Sequence, residues 1–282
     1  MSQTINLKRK KKRLFTVGKR EMLVVVSAIL LSTVGIKAAD RAFNDSSSSL
    51  AVPNCPDGMV KIAGTGLCID QYEVSPGSYC LFKEPASGSD SEQDLNSSKC
   101  KPVSVKGAMP WRNISQNQAA EACAKAGKRL PTSAEWLAAA LGTPDKTAGW
   151  SSDDCNVANN WQEEAGLTGL GKDCVSASGA NDMIGNVWEW VQDSINEGTY
   201  KGQVLPLQGY VAGVDDYGMP SSTTPETSAN YHGDYFWMKP LGVRGLMRGG
   251  YWNNQAEAGV NSVYAVFEPS FTGTGVGFRC VK

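Results

Sequence analysis

Histidine is nearly missing from this chain: of 282 residues only His232 is one. That argues against a histidine-built metal centre, and no Cys-x-x-Cys spacing offers a thiolate one. A serine-hydrolase relay needs a base that His232 alone would have to supply, and there is no Gly-x-Ser-x-Gly elbow to carry the nucleophile. Cysteine is absent before Cys55 and again between Cys174 and Cys280. The uncharged run Met22–Ile36 is shorter than the roughly 20 residues a membrane span requires. A basic folded body is missing too. Residues 1–37 hold nine Lys/Arg and one Glu, which leaves 18 basic and 27 acidic residues for the rest, so a nucleic-acid partner is not expected.

What is present suits a folded, loop-rich body: 41% hydrophobic residues, 20% charged, 30 Gly and eight Trp. The eight Cys, all from Cys55 onward, read as disulfides of an oxidising compartment, with free buried thiols as the alternative. Lys8–Arg13 is a basic run ahead of the apolar segment, the order of an export signal with its positive end in the cytoplasm. Lys37 can snorkel and extend that segment to Ala39, while Ala38 and Ala39 are small enough for signal-peptidase cleavage. The expected division is a basic tail over 1–21, a membrane anchor or signal segment over 22–39, a Ser-rich flexible linker over 40–51 and a folded domain over 52–282. The domain would lie outside the cytoplasm, tethered, or secreted after cleavage. Gly18 followed by Glu21 faintly resembles a type IV pilin start, which leaves a surface-appendage subunit as an alternative.

Turn signals at Pro56-Asp57-Gly58 and Gly64-Thr65-Gly66 flank a short strand at Val60–Ile62, with another at Cys68–Val74. A local Cys55–Cys68 bridge fits that arrangement. Glu84–Lys99 is polar and reads as an exposed loop, closed by Cys80–Cys100. Two helices are expected. Ser115 with Gln118 forms a capping box and Gly127 ends the first, with Ala119, Ala122, Cys123 and Ala126 on one face. Thr132 with Glu135 opens the second, Trp136, Leu137, Ala140 and Leu141 face inward, and Gly142 closes it. Beyond residue 143 short strands and turns dominate.

The densest signal is Gly185-Asn186-Val187-Trp188-Glu189-Trp190, followed by Arg248-Gly249-Gly250-Tyr251-Trp252 and the closing Gly277-Phe278-Arg279-Cys280. With Cys68–Val74 and Gly127–Trp136 upstream, these runs resemble, in order, the formylglycine-generating (sulfatase-modifying) enzyme family over roughly 52–282. The resemblance implies an α+β, C-type-lectin-like fold with two short helices, short antiparallel strands and many loops, after an N-terminal hydrophobic helix. It implies a Cys123–Cys280 disulfide, which leaves Cys155–Cys174 to close the Gly-rich loop between them. It also implies structural calcium, held by the Glu189 carboxylate and the Ile184, Gly185 and Val187 carbonyls, with a second site at Asn156 and Val157. The competing reading pairs Glu189 with a buried arginine, Arg248 or Arg279.

The family's activity depends on two copper(I)-binding cysteines, and their positions fall here at Asn254 and near Gly259. An amide cannot replace a thiolate, so no copper and no catalytic residue is expected, and the enzyme reading stands second. The stretch 253–275 resembles the variable region of C-type-lectin-fold proteins diversified by retroelements, which serves as a ligand-binding face. Trp252, Asn253, Asn254, Gln255, Asn261, Tyr264, Phe267 and Phe271 would then contact an unidentified protein or glycan. The plainer reading of that stretch is an ordinary strand and loop.

Overall fold

The computed structural model of the chain describes residues 54–282. The expected tail, apolar segment and linker lie outside them. Among the described residues no helix is long and apolar enough to cross a membrane.

Two small antiparallel ribbons open the domain. β1 (Met59–Lys61) pairs with β2 (Cys68–Asp70), and β3 (Val74–Pro76) with β4 (Pro102–Ser104). Between β3 and β4 lies α1 (Gly88–Asn96), where a loop was expected. Ser87 caps it by accepting from the Asp90 N–H, but its inward face carries Ser91, Asp94 and a single apolar residue, Leu95. Ser91 bridges the Trp111 indole and the Asn113 carbonyl, and Asp94 accepts from the Leu81 and Phe82 N–H groups. A helix anchored by polar contacts has no apolar period, so sequence patterning misses it. The domain therefore holds three short helices, not two.

α2 (Gln116–Lys125) and α3 (Ser133–Ala140) open with the two expected capping boxes. Ser115→Ala is expected to cost about 1 kcal/mol, measured by urea unfolding, because the Gln118 N–H loses its acceptor. Leu141 does not face inward as expected. It leaves the helix with ψ 134° and is 55% exposed, because it lies beyond the last turn.

The remaining strands form one nine-stranded sheet in the order β7-β6-β5-β11-β12-β10-β8-β9, with β13 also on β5. They are β5 (Trp188–Asn196), β6 (Thr199–Tyr200), β7 (Gln203–Val204), β8 (Gly209–Val214), β9 (Pro220–Thr224), β10 (Tyr235–Met238), β11 (Val243–Arg248), β12 (Val263–Ala265) and β13 (Val276–Phe278). Two of the pairings, β10 with β12 and β13 with β5, are parallel, against the expectation of antiparallel strands only. Parallel neighbours need a crossover, and local hairpin signals do not reveal one. The sheet is covered on both faces. α3 packs with Trp136, Ala139 and Ala140 against Val191, Ile195, Phe236 and Leu246. α2 packs with Ala119, Ala122 and Cys123 on the face of Trp188, Trp190, Met247 and Phe278.

Candidate functional site: an aromatic groove beside a buried ion pair

Trp188-Glu189-Trp190 is strand, so its side chains alternate between the two faces of the sheet. Both tryptophans go to the α2 face and Glu189 goes to the other. β13 lies beside β5 with Gly277 opposite Glu189 and Phe278 opposite Trp190. Arg279, two residues after Gly277, therefore returns to the glutamate's face. Its Nε and Nη2 donate to Glu189 at 2.7 and 2.6 Å, and the Trp136 Nε1 donates to the same carboxylate at 2.6 Å. Arg279 also donates to the carbonyls of Asp70 and Asn181. Glu189 and Arg279 are both fully buried.

Glu189 is thus paired with an arginine, and the arginine is Arg279. Arg248 turns elsewhere. Its guanidinium donates to the Gly218 and Val260 carbonyls and lies over the Trp136 ring, 5.2 Å from its centroid. With both Glu189 oxygens engaged, the expected ligand set does not fit a calcium ion through that carboxylate. The Asn156 carbonyl accepts from the Asn186 N–H and the Val157 carbonyl from the Gln255 N–H, both at 2.7 Å. Gly185 is needed where these strands of chain meet. Its φ is +76°, and a Cβ there would lie 2.2 Å from the Asn156 carbonyl oxygen. Ile184 and Val187 are buried beside it. An excess of acid remains in this part of the core. Glu73 and Asp182 are buried near Arg279, and Oδ1 of Asp182 and Oδ1 of Asn156 have no partner. Burial, followed by repulsion from Asp182 and Glu189, pushes Glu73 well above the usual carboxylate range, and burial pushes Asp182 to about 7.

The α2 face continues past the end of the helix, and there the aromatics stay half-exposed. Trp237, Tyr251, Tyr264, Phe267 and Phe271 extend the packed face of Trp188 and Met247 and line a groove of about 400 Å³. Apart from Tyr251, which meets Trp252 instead, the rings form a connected array. Trp188 meets Trp237 edge-on at 5.4 Å, Tyr264 lies 5.7 Å from Trp237, and Phe267 and Phe271 stack at 3.7 Å with 12° between planes. Tyr210 and Tyr235 carry the array onward across β8 and β10. No charged side chain lines the groove.

Of the residues expected to contact a ligand, Asn254, Tyr264, Phe267 and Phe271 line this groove together. Trp252 lines a neighbouring depression with Arg112, Glu164 and Thr274. Asn253 is occupied by the Asn159 amide, Gln255 is exposed, and Asn261 turns its N–H to Asp234. Sequence reasoning missed Trp188, Trp237, Met247 and Tyr251. The signal for Trp237 was available in Tyr235-Phe236-Trp237-Met238, whose alternation buries Phe236 and Met238 and leaves the other two on the opposite face.

All eight cysteines are paired: Cys55–Cys68, Cys80–Cys100, Cys123–Cys280 and Cys155–Cys174. Where the resemblance places the family's reactive thiols, the Asn254 side chain closes a turn by accepting from the Tyr251 N–H at 2.9 Å. Gly259 has no room for a side chain, because a Cβ there would lie 1.6 Å from Asp234 Oδ1.

Fold and site together define a disulfide-tied, mostly β domain with an open, uncharged aromatic groove. The chain belongs to the family described as the sulfatase-modifying factor enzyme 1-like domain, whose model matches residues 32–282. Similar relatives include the formylglycine-generating enzyme of Mycobacterium tuberculosis, 38% identical over 80 residues, which are 23% of this chain and 27% of that protein. The formylglycine-generating enzyme of Bos taurus is 32% identical over 100 residues, 30% of this chain and 27% of its own length. The matched stretch thus spans about a quarter of each relative. Among solved structures, the Major Tropism Determinant I1 variant aligns over 80% of this chain and 52% of its own, at 19% identity and a TM-score of 0.44. The Treponema denticola variable protein 1 aligns over 80% and 99%, at 14% and 0.40.

Proposed function

We propose that this domain binds a neutral glycan in the aromatic groove and works as a recognition module outside the cytoplasm, tethered through residues 22–39. The observation that carries the reading is the connected array of half-exposed rings with no charge among them. The apolar face of a sugar ring covers an aromatic ring, and the polar tips of Tyr and Trp meet its hydroxyls. Burial pushes the Tyr264 phenol up, so it remains a hydroxyl at neutral pH and keeps its donor. An anionic ligand would find no basic partner in the groove. Four disulfides support an oxidising compartment. The amide at Asn254, the lack of room for any side chain at Gly259 and the pairing of every cysteine speak for binding rather than oxidation.

The test is a glycan array probed with the full-length protein, with Trp237→Ala and Tyr264→Ala as controls. Each variant is expected to weaken binding about tenfold or more, as loss of a central aromatic does. Binding that survives both substitutions unchanged, or binding to protein partners alone, refutes the glycan reading. Aldehyde formed on a cysteine-containing peptide by the purified protein would restore the enzyme reading.

A further inference from the structure

Two carboxylates that take no part in the groove meet beneath the turn at 259–261. Asp234 is fully buried just before β10, and Asp145 is half-buried on the loop after α3. The turn grips one oxygen of each. The Val260 N–H donates to Asp145 Oδ2 at 3.3 Å, and the Asn261 N–H donates to Asp234 Oδ2 at 2.8 Å. The other oxygen of each, Oδ1, is buried with no partner. Gly259 shows how closely the two acids approach. A Cβ on it would lie 1.6 Å from Asp234 Oδ1 and 2.8 Å from Asp145 Oδ2, so those oxygens are no farther apart than the sum of these distances.

Neighbouring cations offset the pair only in part: the Arg248 charge favours ionised Asp234 and His232 favours ionised Asp145, but neither donates a hydrogen bond to these oxygens. Arg248 gives its Nη donors to carbonyls, and His232 is exposed. Two buried negative charges this close are costly, and unsatisfied oxygens add to the cost. Burial pushes Asp145 to about 6, and burial with the Asp145 charge pushes Asp234 well above the usual range. One proton would satisfy one oxygen. A hard cation would satisfy both carboxylates at once, and it takes oxygen ligands in preference to nitrogen or sulfur.

We propose that Asp145 and Asp234 hold a hard divalent cation of the calcium or magnesium kind, pinning the 259–261 turn, with water completing its shell. This site is separate from the one expected at Glu189, and it does not depend on what the groove binds.

The full-length protein, stripped by a chelator, is titrated with calcium and then magnesium while thermal unfolding is followed. Saturating ion is expected to raise Tm by roughly 5 °C. The half-effect is expected at roughly 10⁻⁴–10⁻³ M, the range of weak, water-completed sites. Asp145→Asn should abolish the ion-dependent shift and raise the ion-free Tm, because the repulsion is gone. Asp234→Asn should do the same. A purely structural pair would not move both readouts in this way. The proposal fails if wild type shows no ion-dependent shift, the sign that the pair only shares a proton. It fails equally if Asp145→Asn keeps the full shift. Should Asp234→Asn not fold, the half-exposed Asp145 variant decides.

Discussion

Replacing Arg279 with Met is expected to lower the unfolding free energy by about 3–5 kcal/mol, the loss seen when one partner of a buried ion pair is removed. The guanidinium is fully buried, its Nε and Nη2 each donate to Glu189, and Nη2 also donates to the Asn181 carbonyl. Removing it leaves the Trp136 indole as the remaining side-chain donor on that carboxylate. Glu73 and Asp182 also feel the arginine's charge, so its loss strands more acid than the one carboxylate it touches. Glu189→Gln should therefore cost less than Arg279→Met. The glutamine keeps the shape, reduces the surplus of acid, and leaves Arg279 facing two other carboxylates. Urea unfolding of both variants at neutral pH measures the difference. If Arg279→Met is the milder substitution, or costs under about 1 kcal/mol, the account of this core as an acid cluster held by one arginine is wrong.

Removing the Cys123–Cys280 disulfide as a double alanine variant is expected to cost roughly 4–5 kcal/mol on the chain-entropy estimate. The bridge ties α2 to the residue after Arg279 across a sequence separation of 157, and both cysteines are fully buried. Removing Cys55–Cys68, whose separation is 13, should cost about 2 kcal/mol less on the same estimate. Guanidinium unfolding of the two double variants side by side tests this. Equal losses would mean that local packing, not the closed loop, sets the stabilisation. The long bridge also bears on the ion pair, since Cys280 adjoins Arg279. Freeing the last strand should loosen the guanidinium, so the two losses are not expected to add.

The local bridges Cys55–Cys68 and Cys80–Cys100 and the two capping boxes were legible because each rests on neighbours in the chain. α1 was not legible, because its inward face is Ser91 and Asp94 rather than an apolar stripe. The choice between Arg248 and Arg279 was not legible either. Arg248 is in register with Glu189 on β11, yet Glu189 also faces β13, and the guanidinium that reaches it comes from that side. Half of the ligand-binding residues expected from 252–271 lie outside the groove. The 3₁₀ segment Gln255–Glu257 and the 259–261 turn carry Gln255 and Asn261 away from the groove that Asn254 and Tyr264 line.

By itself, the sequence determined the family, an even set of eight cysteines confined to 55–280, and the absence of cysteine between Cys174 and Cys280. These are properties of residue identity and order, which survive without coordinates. Tertiary structure alone decided that the groove is assembled from β5, β10, β11, β12 and the loops between them. It also decided that Glu189 spends its charge on Arg279, and that Asp145 and Asp234 meet. Each depends on strands distant in sequence becoming neighbours, two of them in parallel, and no local pattern records that pairing.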